Sequence, residues 1–151
     1  IMKSSGDNYG SPEWLLKRYC CPPGNTPDFY DPCPRNPVVN GLVGDWPKNL
    51  IYVNPPYSTL KLWAKKVHEQ AAKNRQIILL MPSRTSNAYF RRYCSSANYI
   101  AFPPRTAFIP FERPELQGKK APFDLMVLYF KLNPDWLDEF VVKGYKNKKP
   151  K

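Results

Sequence analysis

The chain is short of the residues that build metal centres and disulfide scaffolds. His68 is its only histidine, and none of its four cysteines, Cys20, Cys21, Cys33 and Cys94, stands in a Cys-x-x-Cys pair. Zinc sites need clustered Cys and His ligands, so zinc chemistry is not expected. The cysteines also lack the spacing of a secreted disulfide framework, which makes a reducing, intracellular setting the expectation. No apolar run reaches the length of a transmembrane helix, and no charged-then-apolar segment opens the chain as a secretory signal would. Acidic residues are scarce as well: 12 Asp and Glu stand against 23 Lys and Arg. A formal charge of +11 on 151 residues favours a polyanionic partner, nucleic acid before any other. A solubilising surface is the plainer explanation of the same excess.

What is present is enough to fold. Hydrophobic residues make up 42% of the chain, and its length suits one domain with one core. That domain is expected over residues 1–143, with residues 144–151 as a flexible basic tail. Ile1 stands before Met2, which leaves the natural amino terminus open. Eighteen prolines fall between the apolar runs and mark rigid loops.

Periodicity gives a strand–helix alternation. Ser11-Pro12-Glu13 reads as a helix start, with Ser11 as the capping hydroxyl and Trp14 through Cys20 continuing the helix. Phe29-Tyr30 is a short strand candidate that ends at Asp31-Pro32-Cys33-Pro34. Leu50 to Val53 is an apolar, β-branched strand. Leu60, Ala64, Val67 and Ala71 recur at helical spacing and predict a helix over Thr59 to Lys73. Ile77 to Met81 is a buried strand, and Asn87 to Cys94 reads as a helix capped by Ser86. Tyr99 to Phe102, Thr106 to Ile109 and Leu125 to Phe130 are further strands, and Trp136 to Val142 a last helix. This order predicts an α/β fold whose sheet is mainly parallel with an antiparallel edge.

The most informative residues are Asn54-Pro55-Pro56-Tyr57. They follow a buried strand, and two prolines force the backbone out of the sheet as a stiff loop. The carboxyl end of such a strand is where open α/β sheets place their chemistry. The Asn54 side-chain oxygen and the Pro55 carbonyl can each accept a hydrogen from a planar amino group, while Tyr57 can stack on the ring that carries it. The tetrapeptide resembles the N-P-P-Y motif of methyltransferases that use S-adenosylmethionine to methylate an exocyclic or amide nitrogen.

Other segments extend the resemblance. Ser11-Pro12 with Trp14, Phe29-Tyr30-Asp31-Pro32-Cys33, Asn40-Gly41-Leu42 and Trp46 come before the Asn54 motif. Ser58, Trp63, Leu79-Leu80-Met81-Pro82-Ser83-Arg84-Thr85 and Ala121-Pro122-Phe123 come after it. In order and spacing the chain resembles the small phage-type DNA N6-adenine methyltransferases, the Dam-like phage family. The resemblance implies a compact, Rossmann-like methyltransferase sheet, S-adenosylmethionine as donor, and adenine in DNA as acceptor. The interval from Asp31 to Asn54 is short for a full methyltransferase sheet, so one or two strands are expected to be reduced to loops. The family usually places Ala after Asp-Pro-Cys; here Pro34 stands there.

The resemblance also implies roles. Ser11, Pro12, Asp31, Pro32, Cys33 and Asn54 belong to the cofactor side. Asp31-Pro32 is equally read as a plain turn, and Ser11-Pro12 as a helix cap. Asp45 is a second carboxylate candidate for the cofactor, or a surface turn residue. Tyr57 and Ser58 face the acceptor base, with Arg84, Thr85 and Arg105 on nucleic-acid phosphates; helix capping and a solvated Arg also explain Arg84-Thr85. Arg91, Arg92 and Arg113 are further phosphate candidates, whereas Phe90 and Tyr93 are expected in the core. His68 is expected at a helix flank without a catalytic role. Two alternatives keep the motif but change its use. One is methylation of RNA or of protein glutamine. The other is a degenerate domain that binds nucleic acid or serves assembly. The short chain has little room for a recognition domain, which leaves specificity low or dependent on a protein partner.

Overall fold

The most apolar runs of the chain become the middle of a sheet. A computed structural model describes residues 9–34, 39–104, 106, 109–110 and 124–143. In chain order its elements are β1 (Tyr9–Gly10), α1 (Glu13–Tyr19), β2 (Ile51–Val53), α2 (Leu60–Ala72), β3 (Ile77–Pro82), β4 (Tyr99–Ala101), β5 (Ile109–Pro110), β6 (Leu125–Phe130) and β7 (Val141–Lys143). A 3-10 turn at Tyr57–Thr59 leads into α2, and a π-helical turn at Phe90–Cys94 precedes β4.

The sheet runs β2-β3-β6-β4-β7, and β1 pairs separately with β5. β2 and β3 are parallel, with Val53 opposite Leu79. β6 is antiparallel to both its neighbours, and β7 is antiparallel to β4. Three of the four ladders are therefore antiparallel, which corrects the mainly parallel sheet expected from the sequence. The reason is position. The reversed strand β6 lies between β3 and β4 rather than at the edge. β2, β3 and β4 still point the same way, so their carboxyl ends open on one edge of the sheet.

Alternation sorts the side chains into two cores. Ile51, Val53, Ile77, Leu79, Met81, Met126, Leu128 and Phe130 face α2, meeting Leu60, Trp63, Ala64, Val67 and Ala71. Tyr52, Ile78, Leu80, Leu125, Val127 and Tyr129 face α1, meeting Leu15 and Tyr19. Each fully buried aliphatic side chain contributes about 1.5–3 kcal/mol, so two interior strands sandwiched between helices anchor the domain. α2 stops where Asn74 turns into the left-handed region at φ 63, a conformation Asn tolerates better than most residues. No helix among the described residues is long and apolar enough to cross a membrane.

Several local expectations change. The helix expected at Asn87–Cys94 shrinks to the π-helical turn. The helix expected at Trp136–Val142 does not form. Instead the Trp136 indole N–H donates to the Arg18 carbonyl at 2.9 Å, and β-branched Val141 and Val142 pair with β4 as an edge strand. The Phe29-Tyr30 strand reduces to one parallel bridge between Tyr30 and Ile51. Of the Thr106–Ile109 strand, Ile109 begins β5, while residues 105, 107 and 108 lie outside the described residues. The described residues between Tyr30 and Ile51 contain no strand, in line with the reduced sheet expected. Ser11 makes no capping bond at the start of α1, whose N-cap is Pro12.

Candidate active site

The site grows from the end of β2. Asn54 is half-buried just past Val53, and Pro55 and Pro56 behind it are buried. Pro56 holds an extended backbone at φ −59, ψ 134, and its carbonyl accepts the Thr59 N–H at 3.2 Å. The stiff dipeptide thus hands the chain to the 3-10 turn that begins at Tyr57. The path from strand to helix is fixed on both sides of the motif.

Strand alternation places Tyr52 and Asn54 on the same side of the sheet, the α1 side. There they meet Ser11, which lies just before α1. The Asn54 carboxamide nitrogen donates to the Ser11 hydroxyl at 3.0 Å. The Ser11 and Tyr52 hydroxyls share a hydrogen bond at 2.6 Å. Tyr52 is only 3% exposed, and its ring lies 5.1 Å from that of Phe29. Burial holds the Tyr52 phenol well above its ordinary pKa, so it stays neutral. Neighbouring Cys20, Asp31 and Tyr57 would add to that resistance if charged, while the bond to Ser11 opposes it.

Asp31 reaches the same edge by a second route. The Tyr30 N–H donates to Leu50 O at 2.8 Å, and the Tyr52 N–H donates to Tyr30 O at 3.1 Å. This bridge runs the Tyr30-Asp31 segment alongside β2 in the parallel sense. Asp31 then accepts the Cys33 N–H at 2.8 Å, an Asx-turn. Burial raises its carboxyl above the usual range, and the Cys33 N–H offsets part of the rise.

Gly41 supports this loop from below. A Cβ at Gly41 would stand 1.9 Å from the Pro32 oxygen and 2.9 Å from the Trp63 ring, so no side chain fits. The Gly41 carbonyl accepts the Trp46 indole N–H at 2.7 Å. Asn40 turns the chain there by accepting the Leu42 N–H at 3.0 Å. Trp63 is fully buried, and its indole N–H has no partner among the described residues.

The remaining candidates fall in three places. Exposed Arg84 and Thr85 follow the carboxyl end of β3, on the same edge as Asn54, and Ser58 is exposed beside Tyr57. Asp45 is not brought to this edge. It lies against the last turns of α2, accepting from Lys73 Nζ at 2.7 Å and Gln70 Nε2 at 3.0 Å, and these partners lower its pKa to about 2. Arg105, Arg113 and Ala121-Pro122-Phe123 lie outside the described residues. Arg91 and Arg92 are exposed, whereas Phe90 and Tyr93 pack on the core as expected. His68 is half-buried on the flank of α2, its ring 5.8 Å from that of Tyr93. Tyr52 is the residue that sequence reasoning passed over. Its position two before Asn54, on one face of a strand, was the available signal.

Comparison with known proteins places this arrangement. The family model for DNA N-6-adenine-methyltransferase (Dam) matches residues 35–150. A curated relative, the DNA N-6-adenine-methyltransferase of Escherichia phage T1, is 44% identical over 53 residues, which is 34% of this chain and 22% of the relative. The match therefore spans under a quarter of that relative's length. No solved structure matches the chain. With more than half of its residues matched by one family model, the chain belongs to the phage-type DNA N-6-adenine-methyltransferase (Dam) family.

Proposed function

We propose that this protein transfers a methyl group from S-adenosylmethionine to the N6 amino group of adenine in DNA. The observation that carries the reading is Asn54. It sits at the end of a buried strand, its amide nitrogen is tied to Ser11, and two buried prolines and Tyr57 follow it. The sheet is a reduced, Rossmann-like methyltransferase sheet. The β2–α2–β3 crossover, with the site at the strand ends, supports that assignment.

The adenine N6 lone pair is delocalised into the ring and is a poor nucleophile. The Asn54 carboxamide oxygen and the Pro55 carbonyl hold the two amine hydrogens and favour a pyramidal nitrogen. The lone pair is then localised and aimed. Orientation of this kind removes a large part of a barrier, and fixed dipoles facing the developing positive charge remove more. Tyr57 stacks on the base, which duplex DNA must first flip out of its stack. No strong general base is needed, because the nitrogen becomes acidic only as it is alkylated.

S-Adenosylmethionine, when bound, supplies an electrophilic methyl on a sulfonium sulfur. The residues at the edge fit such a group. Asp31 offers a half-buried carboxylate suited to a cation or a hydroxyl, and the missing side chain at Gly41 lets the Pro32 turn settle against Trp63. Ser11, Pro12, Asp31, Pro32, Cys33 and Asn54 are the residues we assign to it. Asp45 is left out, because Lys73 and Gln70 hold it against the end of α2 that leads away from Tyr57.

The net charge of +11 suits DNA. Tyr57 and Ser58 take the base side, with Arg84, Thr85 and Arg105 on phosphates. Sequence specificity comes from a protein partner or stays low. The test is incubation with methyl-labelled donor and separate DNA, RNA and protein acceptors. Label in DNA as N6-methyladenine supports the reading. Label confined to RNA or to glutamine overturns it.

A further inference from the structure

A side-chain carboxamide has two ends of nearly equal size and opposite hydrogen-bonding sense. If Asn54 is to hold an amino group, its oxygen must face that group. With the ends exchanged, two NH2 groups would confront each other. Something must therefore distinguish the nitrogen of Asn54 from its oxygen before the base arrives. Ser11 alone cannot do so, because a hydroxyl both donates and accepts.

The geometry points to Tyr52 and Ser11 as positioning residues for Asn54: the two hydroxyls form a relay that commits the carboxamide nitrogen to Ser11 and turns its oxygen to the acceptor amine. The inference rests on the proposed role of Asn54. The relay is short and continuous, 2.6 Å from Tyr52 to Ser11 and 3.0 Å from Asn54 to Ser11. Ser11 has a single hydrogen. When it is given to the Tyr52 oxygen, Ser11 can meet Asn54 only as an acceptor, so the amide must present its N–H. Tyr52 is 3% exposed. Its hydroxyl acts on Asn54 through Ser11, and its effect is one of orientation. Burial also keeps the phenol neutral, so the relay holds across the working pH range.

The arrangement explains two features that helix capping leaves unexplained. Ser11 precedes α1 yet makes no capping bond. A tyrosine occupies a strand position otherwise flanked by the aliphatic residues Ile51 and Val53. The relay also joins the segment before α1 to the end of β2, 43 residues away from Ser11.

Tyr52→Phe keeps the ring in its place beside Phe29 and removes only the hydroxyl. It frees the Ser11 hydrogen to donate to the carboxamide oxygen, which allows the reversed orientation. In 15N-labelled protein without ligands, the Asn54 side-chain NH2 signal should shift and its hydrogen exchange should quicken about tenfold in Tyr52→Phe, the order expected for loss of one hydrogen bond. Ser11→Ala should do the same, and Ser11→Thr, which keeps a hydroxyl, should restore the original signal. The kcat for DNA adenine should fall about tenfold in Tyr52→Phe. The affinity for S-adenosylmethionine by calorimetry and the thermal midpoint should stay near those of the intact protein. An unchanged Asn54 amide signal in both Tyr52→Phe and Ser11→Ala overturns the relay. An altered signal with full kcat overturns its role in positioning. If the intact protein methylates no adenine, the proposed reaction fails, and the amide signal alone still decides whether the relay exists.

Discussion

Asp31 and Asp45 are two aspartates of similar local sequence, each in a loop between Tyr30 and β2, and they end in opposite conditions. Asp31 follows a residue bridged to Ile51 and is drawn to the carboxyl edge of the sheet, half-buried, with its pKa raised by burial. Asp45 is exposed and ion-paired with Lys73 at the other end of α2, with its pKa lowered to about 2. A carboxylate that the fold keeps poorly solvated is available to a ligand. One already matched by a lysine and an amide has its work done. The difference comes from placement relative to a strand end and not from residue type.

That contrast can be broken or sharpened by substitution. The largest effect is expected at the edge itself. Asn54→Ala should lower the single-turnover methylation rate by at least about a hundredfold, with the circular dichroism spectrum and donor affinity largely kept. Next is Asp31. Asp31→Ala should weaken S-adenosylmethionine by about ten- to a hundredfold, the range for losing a charge-assisted hydrogen bond, while DNA affinity barely changes. Calorimetric titration of both ligands checks it.

Protonation gives the same contrast with opposite signs. Asp31 has a folded pKa above its unfolded value, so folding binds its proton more tightly. Its contribution is present below the unfolded pKa and is lost as pH rises through the folded one. Asp31→Asn should therefore raise the thermal midpoint at neutral pH even as it weakens the donor. Asp45 is depressed, so its contribution is present above the unfolded pKa and is lost as pH falls towards about 2. Midpoints measured from acid to neutral pH for the intact protein and both Asn variants should diverge in these opposite directions.

Smaller effects belong to the rim. Arg84→Ala should weaken DNA binding a few-fold and reduce the slope of log affinity against log salt by about 1, as read by filter binding across salt concentrations. Asp45→Asn should do least. Its surface ion pair is screened by salt and adds little, so methylation should be unchanged and the thermal midpoint only slightly lower.

The sequence exposed the site better than the sheet. Asn54-Pro55-Pro56-Tyr57 declared itself because proline chemistry is local: two prolines after an apolar run must leave a strand. α2 and β3 were equally plain, since their periodicity is carried by their own residues. Strand order was not. Leu125–Phe130 is a strand by composition, yet nothing within it says that it lies antiparallel between β3 and β4. Trp136 to Val142 looked helical after Asn133-Pro134-Asp135. Tertiary contacts prevailed there, with Trp136 under α1 and Val141 and Val142 on the open edge of β4. Ser11 matched a helix cap so well that its true partners, 41 and 43 residues away, went unseen. Gly41 was visible as a motif, but its reason, the approach of the Pro32 carbonyl, needed coordinates.

The most direct measurement is nucleoside analysis by mass spectrometry of unmethylated duplex DNA after incubation with S-adenosylmethionine and either the intact protein or Asn54→Ala. The account predicts N6-methyladenine with the intact protein and almost none with the variant. N6-methyladenine formed at equal rates by both would contradict the assignment of the Asn54 edge as the reaction centre. Its absence with the intact protein would contradict the proposed reaction.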